Sequence, residues 1–302
     1  MNILVLDVYP DVDYRISKDQ NGGYGTANNY GRTIFTKFLK LIVSKSIDFP
    51  PLFSVQVIGE LKNSDHKVKF AKEIPKNLEN FDFVIVISSI VCHETEIKTI
   101  EILKSQNKII FAIGPFATSN PDNYINAGAK VIIGEPEMFF HKFSLTFDEI
   151  NKLPNKINNF KAIDINELSD PGWETIFENY TPKFKFLGNN PSVNINASRG
   201  CPYSCFYYCV YPLQQGRKPR HRSVEKIVDE MEYWKNKFGV KMFIFRDPVF
   251  SINKKHTIDF CNNLIKRKLN IRFVIETHLR ILDTELIQIL KKAGLKGVKV
   301  GV

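Results

Sequence analysis

The sequence predicts an α/β protein in two parts, an N-terminal doubly wound, Rossmann-like parallel sheet and a second βα series after it. Three observations carry this. Short apolar segments alternate with amphipathic helical ones along most of the chain. The segment Phe83 to Ile87 reads Phe-Val-Ile-Val-Ile, apolar on both faces, as a strand covered by helices on both sides must be. The rhythm then lapses between about 143 and 190, where Pro, Asn and Lys are frequent, and resumes. The expected division is therefore 1–142, a linker 143–190, and 191–302.

In the first part the strands are read at 3–6, 68–71, 83–87, 108–113 and 131–133. Helices are read at 52–61, 94–104 and 121–127, the last stopped by Gly128. In the second part a strand at 193–197 leads into a cysteine-rich loop. Ser223 caps a helix to about Phe238, which Gly239 ends. A strand at 241–245, a helix at 254–268, a strand at 271–275, a helix at 283–293 stopped by Gly294, and a strand at 297–302 complete the series.

Formal net charge is +10 over 302 residues. The lysines are scattered along helical stretches such as 226–237 and form no dense basic run, so no nucleic-acid partner is expected. Met1 to Asp7 reads as a strand without a basic leader or a small-residue cleavage site. No apolar run approaches the roughly 20 residues that cross a bilayer. The expected location is the cytoplasm.

Five cysteines are present, and Cys201, Cys205 and Cys209 fall on one loop. A tight cluster without an export signal points to a metal site rather than disulfides. Three thiolates after a strand end can hold three irons of a [4Fe-4S] cube and leave the fourth open. Zinc completed by His221, and unliganded thiols, are the alternatives. Cys261 lies in the apolar period of a helix and reads as core. Cys92 reads as packing and His93 as a polar loop residue.

The loop Ser198-Arg199-Gly200-Cys201-Pro202-Tyr203-Ser204-Cys205-Phe206-Tyr207-Tyr208-Cys209 and the βα series around it resemble the radical S-adenosylmethionine (SAM) superfamily, over about 190–302. The family pattern is C-x3-C-x2-C with an aromatic before the third Cys. Pro202, Tyr203 and Tyr208 match in character, whereas the spacing here is C-x3-C-x3-C, as if one aromatic were inserted. The resemblance implies a [4Fe-4S] cluster on Cys201, Cys205 and Cys209, with SAM chelated at the open iron. It implies reductive cleavage of SAM to methionine and a 5′-deoxyadenosyl radical, and a reducing partner such as flavodoxin or ferredoxin. Tyr208, Asp247 (in Phe245-Arg246-Asp247-Pro248) and Glu276 (in Glu276-Thr277-His278) become candidate cofactor-binding residues, with His278 and Arg280 nearby. The implied fold is a TIM-like barrel. Fewer strands than a full barrel are counted, so the chain is expected to be truncated after its fourth barrel strand.

Ahead of such a domain, Pro50-Pro51-Leu52, Gly114-Pro115 and Gly134-Glu135-Pro136-Glu137 resemble a cobalamin-binding domain. The Asp-x-His-x-x-Gly signature is absent, so the resemblance implies cobalamin bound without a protein histidine. Gly114, Pro115, Gly134 and Glu135 are the residues it nominates. The Gly-rich run Asn21 to Gly31 reads equally as a ligand loop or a plain loop. Together the two resemblances imply a cobalamin-dependent radical SAM enzyme, with methyl transfer to an unactivated carbon as the expected reaction. A truncated or degenerate binder is the alternative, and the substrate, small-molecule or lipid-like, is not fixed.

Overall fold

The computed structural model describes residues 1–11, 15–158, 164–184, 191–205 and 209–300. Two compact units are present: residues 1–44, 50–180 and 208–214 form one, and 45–49, 181–207 and 215–302 the other.

The first unit is built on six parallel strands, β1 (Asn2–Leu6), β2 (Lys67–Ala71), β3 (Phe83–Ile87), β4 (Ile109–Ile113), β5 (Lys130–Ile132) and β6 (Lys156–Ile157). Their spatial order is β2-β1-β3-β4-β5-β6. The strand order reverses between β1 and β3, which makes the crevice beyond their C-terminal ends a topological switch point. Every residue of β3 is buried, as its uninterrupted apolar run requires. Helices α1 (Ile34–Ser46), α2 (Leu52–Asn63), α3 (His93–Ser105) and α4 (Pro121–Ala127) lie between the strands in sequence. Leu4, Val84, Val86, Ile100, Leu103, Ile110 and Val131 form one continuous core. Gly128 ends α4 at φ 117°, a left-handed stop that a side chain disfavours.

Within the stretch expected to be a linker, several of the described residues lie in short regular elements. A helix at Phe147–Lys152 opens with a reciprocal capping box between Thr146 and Glu149. Lys156–Ile157 adds the sixth strand, and Trp173, fully buried, starts a helix at Trp173–Asn179. Gly172 N–H donates to the Val55 carbonyl at 2.8 Å, which fastens this stretch to α2. The weak periodicity goes with elements as short as two to seven residues among the described residues of this stretch. Helix α1 and a hairpin pairing Arg15–Ser17 with Thr26–Asn28 were also not read from the sequence.

The second unit holds four parallel strands in sequential order, β7 (Ser192–Ile195), β8 (Met242–Phe245), β9 (Arg272–Thr277) and β10 (Leu295–Val300). Helices α5 (Val224–Phe238), α6 (Lys254–Arg267) and α7 (Thr284–Ala293) intervene. Their starts are fixed by the side chains of Ser223, Asn253 and Asp283, each accepting a backbone N–H of the first turn. The rings of Phe245, Phe250, Phe260 and Phe273 pack mainly edge to face at the centre. This sequential βαβα order matches the sequence expectation. No helix among the described residues is long and apolar enough to cross a membrane.

Candidate active site at the cysteine loop and the strand ends

The cysteine loop begins where β7 ends. Ser198–Arg199 pairs antiparallel with Arg220–His221, which brings the chain back after the loop. Gly200 then adopts φ 84°, and a Cβ there would run into the Lys218 carbonyl. Only glycine fits directly before Cys201. The Cys201 N–H donates to the Gly216 carbonyl at 3.1 Å, and the Gly200 N–H to Gln215 Oε1 at 3.1 Å. The Arg217 guanidinium donates to the Tyr203 carbonyl at 3.3 Å and to Ser204 Oγ at 3.4 Å. The Tyr203 ring stacks on His278 with centroids 4.9 Å apart. Residues 200–205 are therefore tethered to the return segment and to the end of β9.

Cys201 is buried, Cys205 exposed and Cys209 half-buried, and none forms a disulfide. Among the described residues, no three His, Cys, Asp or Glu side chains are gathered as a bound metal would gather them. The donor set itself suits an iron–sulfur group: three soft thiols on one loop. Tyr208, nominated from the sequence, lies outside the described residues together with Phe206 and Tyr207.

Asp247, nominated as a cofactor contact, is hydrogen-bonded within the protein. Its carboxylate is fully buried and turned toward the loop. It accepts the Ala197 N–H at 3.0 Å, the Ser198 N–H, and Ser198 Oγ–H at 2.7 Å. Burial pushes its pKa up to about 7, against the pull of those hydrogen bonds and the Arg222 charge. Because it follows an apolar strand, sequence reading placed it at the sheet's open end; the donors of the neighbouring strand end capture it first. Glu276 is half-buried near the end of β9. Its side chain is 24% exposed, and Oε1 lies 2.7 Å from Arg246 Nη1 and 3.3 Å from Lys299 Nζ. His278, besides stacking, accepts the Arg280 N–H on Nδ1 at 3.2 Å.

In the first unit the nominated residues separate into two pairs. Gly114, at φ 113°, is buried with Pro115, and a Cβ there would stand 2.7 Å from the Phe53 ring and 2.9 Å from Ser88 Oγ. Close packing accounts for this glycine. Gly134 and Glu135 are half-buried, and a Cβ on Gly134 would meet nothing nearer than the Gln214 carbonyl at 3.7 Å. A ligand has more room to approach this second pair.

Sequence reading missed a buried ionic network at the switch point. Lys18 Nζ, with no exposure, lies 2.8 Å from Glu96 Oε1 and 3.2 Å from Asp7 Oδ1, and donates to the Ile87 carbonyl at 3.0 Å. Glu96 also accepts Ser89 Oγ–H at 2.9 Å and Tyr124 O–H at 2.6 Å. Burial works against the Lys18 charge, but Glu96 and Asp7 outweigh it and hold the pKa above the usual lysine range. A single Lys in an irregular segment carries no sequence signal; Asp7, placed directly after the first strand, was the available clue. Nearby, burial pushes the Cys92 thiol up to about 11, and burial alone pushes Cys261 up to about 12, as packing residues should be.

Residues 195–302 match the radical SAM superfamily, a span that includes the whole cysteine loop, Asp247 and Glu276. The chain carries a radical SAM domain. An uncharacterized methyltransferase of Pyrococcus horikoshii is 24% identical over 284 residues, covering 84% of this chain and 60% of that protein. The anaerobic magnesium-protoporphyrin IX monomethyl ester cyclase of Cereibacter sphaeroides is 34% identical over 137 residues, 44% of this chain and 22% of that one. The bacteriochlorophyllide d C-12(1)-methyltransferase of Chlorobaculum tepidum is 23% identical, covering 76% and 49%. Among solved structures, the radical SAM methyltransferase TsrM of Kitasatospora setae, with cobalamin and a [4Fe-4S] cluster bound, superposes with a TM-score of 0.64 at 13% identity, covering 99% of this chain and 60% of that one. That likeness shows the fold: a parallel six-stranded sheet and a second parallel sheet. The chain spans 60% of the length of the Pyrococcus relative.

Proposed function

We propose that this chain serves a cobalamin-dependent radical SAM enzyme, a methyltransferase acting at an unactivated carbon. The supporting observation is that the superfamily match opens at Ile195, on the strand that feeds the three-thiol loop. Residues 191–302 would hold the cluster and SAM, and residues 1–142 cobalamin. Bound there, the cluster supplies one low-potential electron and an open iron to SAM, and cobalamin supplies a transferable methyl group.

The chain's own residues have definable tasks in this reading. Cys201, Cys205 and Cys209 would ligate iron, and the tethers from Gly216, Gln215 and Arg217 orient the first two thiols. Asp247 holds the strand end behind them from inside the protein. Glu276, paired to Arg246, would offer a carboxylate to the ammonium of SAM, and Tyr208 is the aromatic residue nominated beside the third cysteine in sequence. Of the nominated cobalamin contacts, Gly134 has open space around it, whereas Gly114 is packed against Phe53 and Ser88. A flavodoxin- or ferredoxin-class donor would deliver the electron. The non-catalytic alternative is not favoured: named enzymes, methyltransferases and cyclases, stand among the relatives.

The test is anaerobic reconstitution with iron and sulfide, then addition of reductant and SAM. Formation of 5′-deoxyadenosine is the expected result, and Cys209→Ala should abolish both it and the four-iron EPR signal. A stable cluster that never yields 5′-deoxyadenosine would overturn the enzyme reading. Incubation with cobalamin, then gel filtration and absorbance, tests residues 1–142 separately.

A further inference from the structure

Helix α1 runs from Ile34 to Ser46 and exposes four large apolar side chains in its first nine residues. Ile34 is 90% exposed, Phe35 68%, Phe38 59% and Ile42 40%. Positions 34, 38 and 42 recur every fourth residue and 35 lies beside them, so the four share one face of the helix. Lys37, three residues on from Ile34, lies at the flank of that face, and Arg32 stands exposed just before the helix. Between residues 20 and 47 the chain carries Arg32, Lys37, Lys40 and Lys45 and no acidic residue.

We propose that α1 is a membrane-surface helix that lays Ile34, Phe35, Phe38 and Ile42 into the interface of an anionic bilayer, with Arg32 and Lys37 against the lipid phosphates. Two large aromatic side chains and two isoleucines in a row form an exposed apolar patch of the kind that marks an interaction site. An uninterrupted positive charge flanking that patch fits an anionic headgroup layer. It does not fit a second copy of the same surface, which would bring like charges together. At 13 residues the helix is about 20 Å long, too short to span a bilayer and suited to lying on it. The inference does not rest on the radical SAM reading and is tested without cofactors.

The experiment is co-sedimentation of the full chain with vesicles of phosphatidylcholine alone, or of phosphatidylcholine with about one third phosphatidylglycerol. Binding to the anionic vesicles and not to the neutral ones is expected. Phe35→Ser/Phe38→Ser keeps every charge and replaces only exposed side chains, so circular dichroism should be unchanged while vesicle binding falls about tenfold or more. Lys37→Glu should weaken binding with both phenylalanines intact. If the double variant binds as well as the parent, adhesion is nonspecific charge attraction and the proposal fails. It fails also if anionic vesicles capture nothing, or if the parent forms a dimer on gel filtration that the double variant lacks and binds no vesicles.

Discussion

Asp247 accepts the hydroxyl proton of Ser198 at 2.7 Å, binding the end of β8 to the chain that enters the cysteine loop. Asp247→Asn keeps the size but replaces one acceptor oxygen by an NH2 group, set against the Ala197 N–H that Oδ2 now accepts at 3.1 Å. One buried donor is left facing another. The expected cost is about 1–3 kcal/mol, read as a lower urea midpoint. Iron retained after reconstitution should fall with it. An unchanged midpoint with normal iron content would show that the carboxylate does not hold this loop.

The same residue sets a pH dependence. Its carboxyl titrates at about 7 when folded, against 3.8 as the ordinary value. The folded chain therefore binds a proton that the unfolded chain has released across that window. The contribution of Asp247 to stability is complete below about pH 4 and declines as pH rises toward 7. Chemical denaturation of parent and Asp247→Asn at several pH values should show the parent's advantage shrinking from acid to neutral. An advantage that grows with pH would place the folded pKa below, not above, the ordinary value.

Lys18→Met removes the cation that Asp7 and Glu96 share in the dry interior of the first unit. Two carboxylates then lose their shared cation where water does not reach, keeping the hydroxyl donors of Tyr9, Ser89 and Tyr124 and the Ser89 N–H. Breaking a buried pair in this way costs about 3–5 kcal/mol. Thermal unfolding should show the loss, and Glu96→Gln should cost less in the Lys18→Met background than in the parent. Additive effects would mean that the two groups do not interact.

The elements with strong periodicity and explicit caps were legible in the sequence: Ser223 to Gly239 folds as read, and so does Phe83–Ile87. What escaped reading depends on distant partners. Lys69 and Lys18 look alike in sequence, yet only the second is enclosed, because Asp7 and Glu96 come from a strand end and a helix far apart in the chain. Asp247 was seen as a strand-end carboxylate but not as one turned inward, since that depends on the donors of Ala197 and Ser198 lying beside it. Lys156–Ile157 is too short to show a period, and only pairing with β5 makes it a strand.

The cysteines should differ in reactivity before iron is added. Cys205 is exposed, whereas burial holds the Cys92 and Cys261 thiols up near 11 and 12. At pH 8 the last two present about one thiolate in a thousand or fewer. Brief iodoacetamide treatment and then peptide mass mapping should find Cys205 alkylated and Cys92 and Cys261 untouched. Equal labelling of Cys261 would mean that α6 opens readily or that its thiol is not packed.

Glu276 is the sharpest test of the SAM reading because it already has a structural partner. Its Oε1 lies 2.7 Å from Arg246, so a purely structural role predicts that Glu276→Gln lowers stability and leaves SAM affinity alone. A carboxylate that also receives an ammonium makes a charge-assisted bond worth about 1.5–3 kcal/mol, or roughly 10–150-fold in affinity. The expected outcome for Glu276→Gln is a loss of SAM affinity of at least about tenfold by equilibrium dialysis of the reconstituted chain, with the cluster spectrum intact. Glu276→Asp, which keeps the charge on a shorter arm, should recover part of that affinity. Equal SAM affinity in all three forms would remove Glu276 from the cofactor site and leave it as the counter-ion of Arg246.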